Sequence, residues 1–113
     1  MVDVGAAAVG VNCEQEPDRL LPIAREMRKA VGVPIAAQPA AFRTTDANPC
    51  FTRLAQFPDE LEAIQLPRSS FELFAEKAKA EGIQFLGGCC GCNAAYIQAL
   101  ARGLRASNGG RTR

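Results

Sequence analysis

The stretch IQFLGGCCGCNAAYIQ, residues 83–98, decides how the rest of the chain is read. It passes from a short apolar run, through paired glycines and adjacent cysteines, into the start of a helical pattern. Gly87 and Gly88 end the apolar run and let the backbone turn without a Cβ penalty. Cys89 and Cys90 then stand at the carboxyl end of a strand predicted over residues 83–86, the end where α/β folds place their chemistry. Asn93 suits the cap of the helix that follows. The apolar face of that helix is expected from Ile97, Leu100, Ala101 and Leu104, spaced i, i+3, i+4, i+7. Adjacent cysteines rarely suit a disulfide with each other, whereas thiolates sharing one tight turn suit a soft metal ion. Cys13, at the end of the upstream apolar run VGVNC, is the candidate third thiolate.

Working outward from that turn, Ser69 or Ser70 opens a helix with Glu72 early in it. Phe71, Phe74, Ala75 and Ala78 line its inner face, and Gly82 ends it. Residues 40–68 come before it, broken by Pro49, Pro58 and Pro67 and without periodicity. Connections between strand and helix usually run to about 2–6 residues, so one this long is functional or disordered. Phe42, Phe51 and Phe57 in it imply local packing. Residues 33–39 read as a strand with Gln38 at its carboxyl end.

Residues 16–31 read as a helix, with Pro17, Glu16 and Asp18 suited to its amino end and Arg28 and Lys29 to its carboxyl end. Leu20, Ala24, Met27 and Val31 share one face. Pro22 is expected to kink this helix or delay its start. Residues 6–11 read as a buried strand. Val2, Asp3, Val4 and Gly5 before it are patterned like a helix end with its glycine cap. Residues 1–104 form the expected domain and residues 105–113 a flexible tail. The order β–α–β–long connection–α–β–α implies a parallel α/β sheet with right-handed crossovers. Cys13, Cys89 and Cys90 then fall at one sheet edge.

Bulk properties narrow the function. Hydrophobic residues make up 48% of the 113-residue chain, enough for one core and too many for disorder. With 13 basic and 12 acidic residues the net charge is +1, which leaves no electrostatic footprint for nucleic acid or an anionic membrane. The longest apolar run, residues 4–11, is too short for a bilayer. No secretory signal opens the chain, so a cytoplasmic setting with reduced thiols is expected. Five cysteines, three of them in CCGC, favour metal binding or thiol chemistry over structural disulfides. There is no histidine, which removes Ser–His–Asp and Cys–His catalysis and every mixed Cys/His zinc site.

Several of these residues are familiar together. VGVNC is followed by a strand ending in Gln38-Pro39, then by a long connection with Asp46-Ala47-Asn48, Phe57-Pro58 and Leu61-Glu62. GIQFLGGCCG then precedes an amphipathic helix. This arrangement resembles the C-terminal part of the homocysteine S-methyltransferase family, and within it the betaine–homocysteine methyltransferase branch. The resemblance covers roughly residues 5–104.

It implies a (β/α)8 TIM barrel, of which this chain carries about the last three β/α units. It also implies that the thiolates of Cys13, Cys89 and Cys90 hold a catalytic zinc, with no catalytic residue beyond these ligands. Homocysteine binds through its sulfur at the open zinc position and takes a methyl group from betaine or another onium donor, giving methionine. A whole barrel takes about 250 residues, so a fragment, a truncated product or half of a split enzyme is expected, incomplete for catalysis alone. Its open strand edges favour a homo-oligomer or a complementing N-terminal half. Cys92 departs from the family pattern and is a candidate fourth ligand that would close the site.

Other readings stand beside this one. Closed by Cys92, the site becomes a non-catalytic zinc module. Cys89–Cys92 also spells C-x-x-C between a strand and a helix, the local context of a thiol-redox protein. Free cysteines are often plain buried side chains, but the two-part GVNC and GGCCG signature favours metal. Cys50 reads as a loop residue. Asn12 and Gln38 are candidates to orient the metal shell or substrate, or are satisfied polar groups at strand ends.

Overall fold

Side-chain alternation along one strand shows which face of the sheet is covered. In the computed structural model, which describes residues 2–106, Ile35 and Ala37 are fully buried while Gln38 is exposed. They belong to β2 (Ile35–Gln38), the central strand of a three-stranded parallel sheet flanked by β1 (Val9–Asn12) and β3 (Phe85–Leu86). The register pairs Val9 with Ile35 and Val11 with Ala37, and Ala37 in turn with Leu86. These residues line the core beneath the helices. The other row, in which Gly10 pairs with Ala36 and Ala36 with Phe85, lies on the opposite face, where Phe85 is 57% exposed. Among the described residues no helix covers that face.

The covering layer is α1 (Pro17–Ala30), α2 (Ser69–Ala80) and α3 (Ala94–Ala106). The order β1–α1–β2–long connection–α2–β3–α3 and the parallel pairing are those read from the sequence. β1 starts later than expected, at Val9 rather than residue 6. Its partner β2 begins only after Pro34, whose carbonyl takes the Val9 N–H at 3.1 Å, so residues 6–8 have no strand beside them. Val2–Val4 form a turn of 3-10 helix, and Gly5 (φ +96°) caps it through an N–H to the Val2 carbonyl.

In α1, Leu20 and Ala24 are buried as expected and Leu21 joins them, while Met27 and Val31 are half-buried. Pro22 does not delay the helix, which starts at Pro17 and continues past it to Ala30. The carbonyl that Pro22 cannot serve belongs to Asp18, which is exposed. The α2 face is as read: Phe71, Phe74, Ala75 and Ala78 are all buried. Ser69 opens the helix, as expected. Arg68 takes the cap position without a side-chain bond.

The α3 face is corrected by one residue. Asn93 caps the helix as expected, its Oδ1 accepting the Ala95 N–H at 2.9 Å. Leu100 is buried and Leu104 packs against the core, both as expected, but the fully buried row is Tyr96, Ala99, Leu100 and Gly103, with Ile97 50% exposed. The helix is turned by one residue, about 100°, for two reasons. The Tyr96 hydroxyl donates to the Leu66 carbonyl at 2.6 Å, and its ring meets Phe71 edge-on at 5.2 Å. Gly103 also lets α3 lie directly on α2, since a Cβ there would sit 2.8 Å from the Ala75 Cβ and against the Glu72 carbonyl. Because α3 runs to Ala106, it includes Arg105 and Ala106 of the expected tail. Residues 107–113 lie outside the described residues.

Residues 40–68 are folded. They carry 3-10 turns at Phe51–Arg53 and Leu61–Ile64 and an antiparallel bridge between Phe42 and Gln65. Ala40, Phe42 and Phe51 make a second small core, against which Cys13 packs.

Candidate metal centre

β1 ends at Asn12, and the chain leaves it through a left-handed turn. Cys13 and Glu14 both have φ +64°, a region that residues with a Cβ rarely adopt and that costs about 1–3 kcal/mol each. Hydrogen bonds hold the turn: the Cys13 N–H donates to the Gln38 carbonyl at 2.8 Å, and the Gln15 N–H to the Cys13 carbonyl at 2.7 Å.

Across the sheet, the backbone of the CCGC turn continues the β2–β3 pairing. Gly87 N–H bonds the Ala37 carbonyl at 3.1 Å and Cys89 N–H the Pro39 carbonyl at 3.0 Å. The Cys90 carbonyl then accepts the Ala41 N–H at 2.9 Å. Gly91 (φ +84°) completes the turn under the Phe42 ring, where a Cβ would stand 2.7 Å from Cζ. Gln65 closes the turn from the far end of the long connection, its Nε2 donating to the Gly91 carbonyl at 2.8 Å.

These turns bring three thiols together. The sulfurs of Cys13, Cys89 and Cys90 all lie within 4.8 Å of one another, and Cys13 Sγ is 3.3 Å from Cys90 Sγ. No disulfide joins them. Tetrahedral zinc, with Zn–S near 2.3 Å, sets sulfurs about 3.8 Å apart, so the spacing fits one such ion. Asn12 Nδ2 lies 4.0 Å from Cys89 Sγ as a donor. Gln38 contributes through its backbone carbonyl.

The thiols divide unequally in acidity. Burial disfavours the Cys13 thiolate, but hydrogen bonds from the Cys89 thiol, the Cys90 N–H, the Cys90 thiol and the Glu14 N–H outweigh it, so Cys13 ionises below the ordinary thiol range. Burial, the hydrogen bond to Cys13 and the charge on Cys13 raise Cys89. The hydrogen bond to Cys13, burial and the neighbouring thiolate charges push Cys90 up to about 12. A single thiolate shared among donors is what three close thiols hold without a cation. A dication would release the remaining protons.

A family model described as homocysteine S-methyltransferase matches residues 1–104. The chain belongs to the homocysteine S-methyltransferase family. It is 35% identical over 116 residues to betaine–homocysteine S-methyltransferase 1 of Danio rerio, covering 96% of this chain and 29% of that protein. Against the Pongo abelii protein of the same name it is 32% identical, covering 96% of this chain and 28% of the relative. It is also 31% identical to an S-methylmethionine–homocysteine S-methyltransferase of Pongo abelii, covering 96% of this chain and 32% of that protein. The chain thus spans less than a third of the length of these relatives.

Within this member of the homocysteine S-methyltransferase family, the remaining cysteines stand apart from the cluster. Cys92, the candidate fourth ligand, is half-buried beside Gly88, with its Sγ 3.9 Å from the Pro39 carbonyl. Burial raises its thiol. Cys50 sits in the long connection, at the cap of the Phe51–Arg53 turn. The connection itself was legible only as too long for a plain crossover. That Phe42 packs on Gly91, or that Gln65 bonds its carbonyl, had no local signal, because both contacts are made across the fold.

Proposed function

We propose that this chain is the zinc-bearing C-terminal portion of a homocysteine S-methyltransferase barrel, with residues 1–104 as its domain and Cys13, Cys89 and Cys90 as the zinc ligands. The observation that carries the reading is the meeting of three sulfurs, from the ends of β1 and β3, within 4.8 Å of one another. The donor set is all thiolate, which suits zinc and excludes hard cations. Three protein ligands leave one position open, the catalytic arrangement, and Cys92 is turned away from it.

The reaction served is transfer of a methyl group from betaine or another onium compound to the thiol of homocysteine, giving methionine. When bound, zinc would hold that thiol as a thiolate at neutral pH, so no histidine base is required. Cys13, Cys89 and Cys90 would hold the ion, and their three negative charges would keep the site electron-rich toward a bound thiol. The backbone N–H groups of Cys90 and Glu14, which face the Cys13 sulfur, orient the ligand shell. The thiols need a reducing compartment, for which the cytoplasm is suited.

Among the described residues only one face of the sheet carries helices, and β1 and β3 each leave an edge unpaired. This supports a partial (β/α)8 barrel completed by an N-terminal portion or by a second copy of the chain. Among the described residues no helix is long and apolar enough to cross a membrane.

The test is zinc content per chain purified under reductant, with sulfur ligands counted by X-ray absorption before and after adding homocysteine. Three sulfurs rising to four is the expected result. No zinc, or four sulfurs without substrate, overturns the reading.

A further inference from the structure

The turn that carries Cys13 is strained, and something must hold it. Left alone, consecutive left-handed residues with side chains relax toward ordinary backbone angles. A relaxed turn would swing the Cys13 thiol away from Cys89 and Cys90. Both Cys13 and Glu14 keep φ +64°; besides the bonds of Cys13 to Gln38 and Gln15, the contacts that oppose relaxation come from the long connection after β2.

The Glu14 carbonyl accepts the Phe51 N–H at 2.9 Å. The Glu14 carboxylate accepts the Thr52 hydroxyl at 2.7 Å, partly shielded from water. Neighbouring Gln15 accepts the Ala40 N–H through its carbonyl at 2.9 Å. Backbone bonds of this kind form with almost any side chain. The Glu14–Thr52 bond is the one that depends on residue identity, and it joins positions 38 apart in the chain. Its acceptor is charged, which makes it stronger than a neutral pair. Glutamate is also a poor choice for a left-handed position, where glycine or asparagine is ordinarily found, so the side chain earns its place by what it binds.

We propose that Glu14 and Thr52 form a clasp that positions the Cys13 thiol for the metal. They are positioning residues: neither touches the ion or a substrate. The proposal rests on the reading of Cys13 as a ligand. It assigns part of the long connection a function, that of a brace reaching across the sheet edge to the ligand on β1.

The experiment loads the full chain with Co(II) in place of zinc and reads the thiolate-to-cobalt charge-transfer band, whose strength follows the number of bound thiolates. Thr52→Val and Glu14→Ala are each expected to lower the band by about a third, the share of one ligand of three. Each is expected to weaken zinc about 10–100-fold in chelator competition, the usual effect of losing an outer support. Thr52→Ser, which keeps the hydroxyl, restores both. The double variant loses no more than either single one, because the two residues act through one bond.

Cys13→Ser is the reference and must itself lose about a third of the band. A full band in Cys13→Ser overturns the ligand assignment, and the clasp with it. A reduced band there beside a full band in Thr52→Val overturns the clasp alone. Loss of the cooperative melting transition in both Thr52→Val and Glu14→Ala also overturns it, since the bond would then support the fold and not the thiol.

Discussion

Cys13 and Cys90 are 77 positions apart in the chain, and their sulfurs meet at 3.3 Å. β2 lies between the strands that deliver them, so the meeting depends on register along both of its edges. Replacing Cys13, Cys89 or Cys90 with alanine is expected to abolish zinc retention through dialysis against a mild chelator. Cys50→Ala and Cys92→Ala are expected to keep it. Metal analysis per chain is the check, and full zinc in a Cys89 or Cys90 variant would remove the assignment.

Thiol labelling separates exposure from acidity. Cys90 is the more exposed of the pair, yet Cys13 is the one whose ionisation is favoured. Iodoacetamide at neutral pH should therefore label Cys13 before Cys89 or Cys90 in metal-free protein, because the thiolate is the nucleophile. Cys90, pushed up to about 12, should still be gaining rate at pH values where Cys13 has levelled off. Peptide mass spectrometry over a pH series gives the order. Cys90 reacting first would show that accessibility outweighs ionisation here.

The contact between α2 and α3 tolerates no added methyl group. Gly103→Ala places a Cβ 2.8 Å from that of Ala75 and against the Glu72 carbonyl. A better helix former is thereby expected to destabilise, by about 1–3 kcal/mol, as overpacking does. Urea unfolding measures it, and a stabilised variant would mean that the helices separate freely.

Tyr96→Phe keeps the ring beside Phe71 and removes only the hydroxyl, leaving the Leu66 carbonyl without its 2.6 Å partner. The expected cost is about 1–3 kcal/mol, the range for a buried acceptor stripped of its donor. The same denaturation series reports it. Because Leu66 follows Gln65, which bonds the Gly91 carbonyl, zinc affinity should fall with it.

The elements and the cysteine cluster could be read from the chain because their signals are local or repetitive. The α2 face follows from the spacing of Phe71, Phe74, Ala75 and Ala78, and the end of β3 from Gly87 and Gly88. The α3 face did not follow in the same way. Ile97 fits the helical period as well as Tyr96 does, and the Leu66 carbonyl and the close approach of Gly103 to α2 choose between them. Cys92 shares a turn with two of the clustered cysteines, and nothing local in the sequence tells which way its side chain points. Its inward direction depends on Gly88 and Pro39, and Pro39 lies 53 residues away. The role of residues 40–68 was the least legible, since their aperiodic chain is organised by what it touches: Gly91, Glu14 and, through the Thr44 hydroxyl, the Glu16 carboxylate.

The placement of the clustered thiols just past the ends of the outer strands, with none on β2, has a thermodynamic consequence. Whatever ion they share is bound only when all three strands are aligned, since a one-residue slip turns side chains to the opposite face. Ion binding would then report correct assembly and stabilise it, by an amount that grows with the logarithm of free ion over its dissociation constant. For so small a sheet, whose outer sides are unpaired among the described residues, an ion bound there would also be a staple closing a loop of some 77 residues. Metal supply would in this way set how much of the chain is folded.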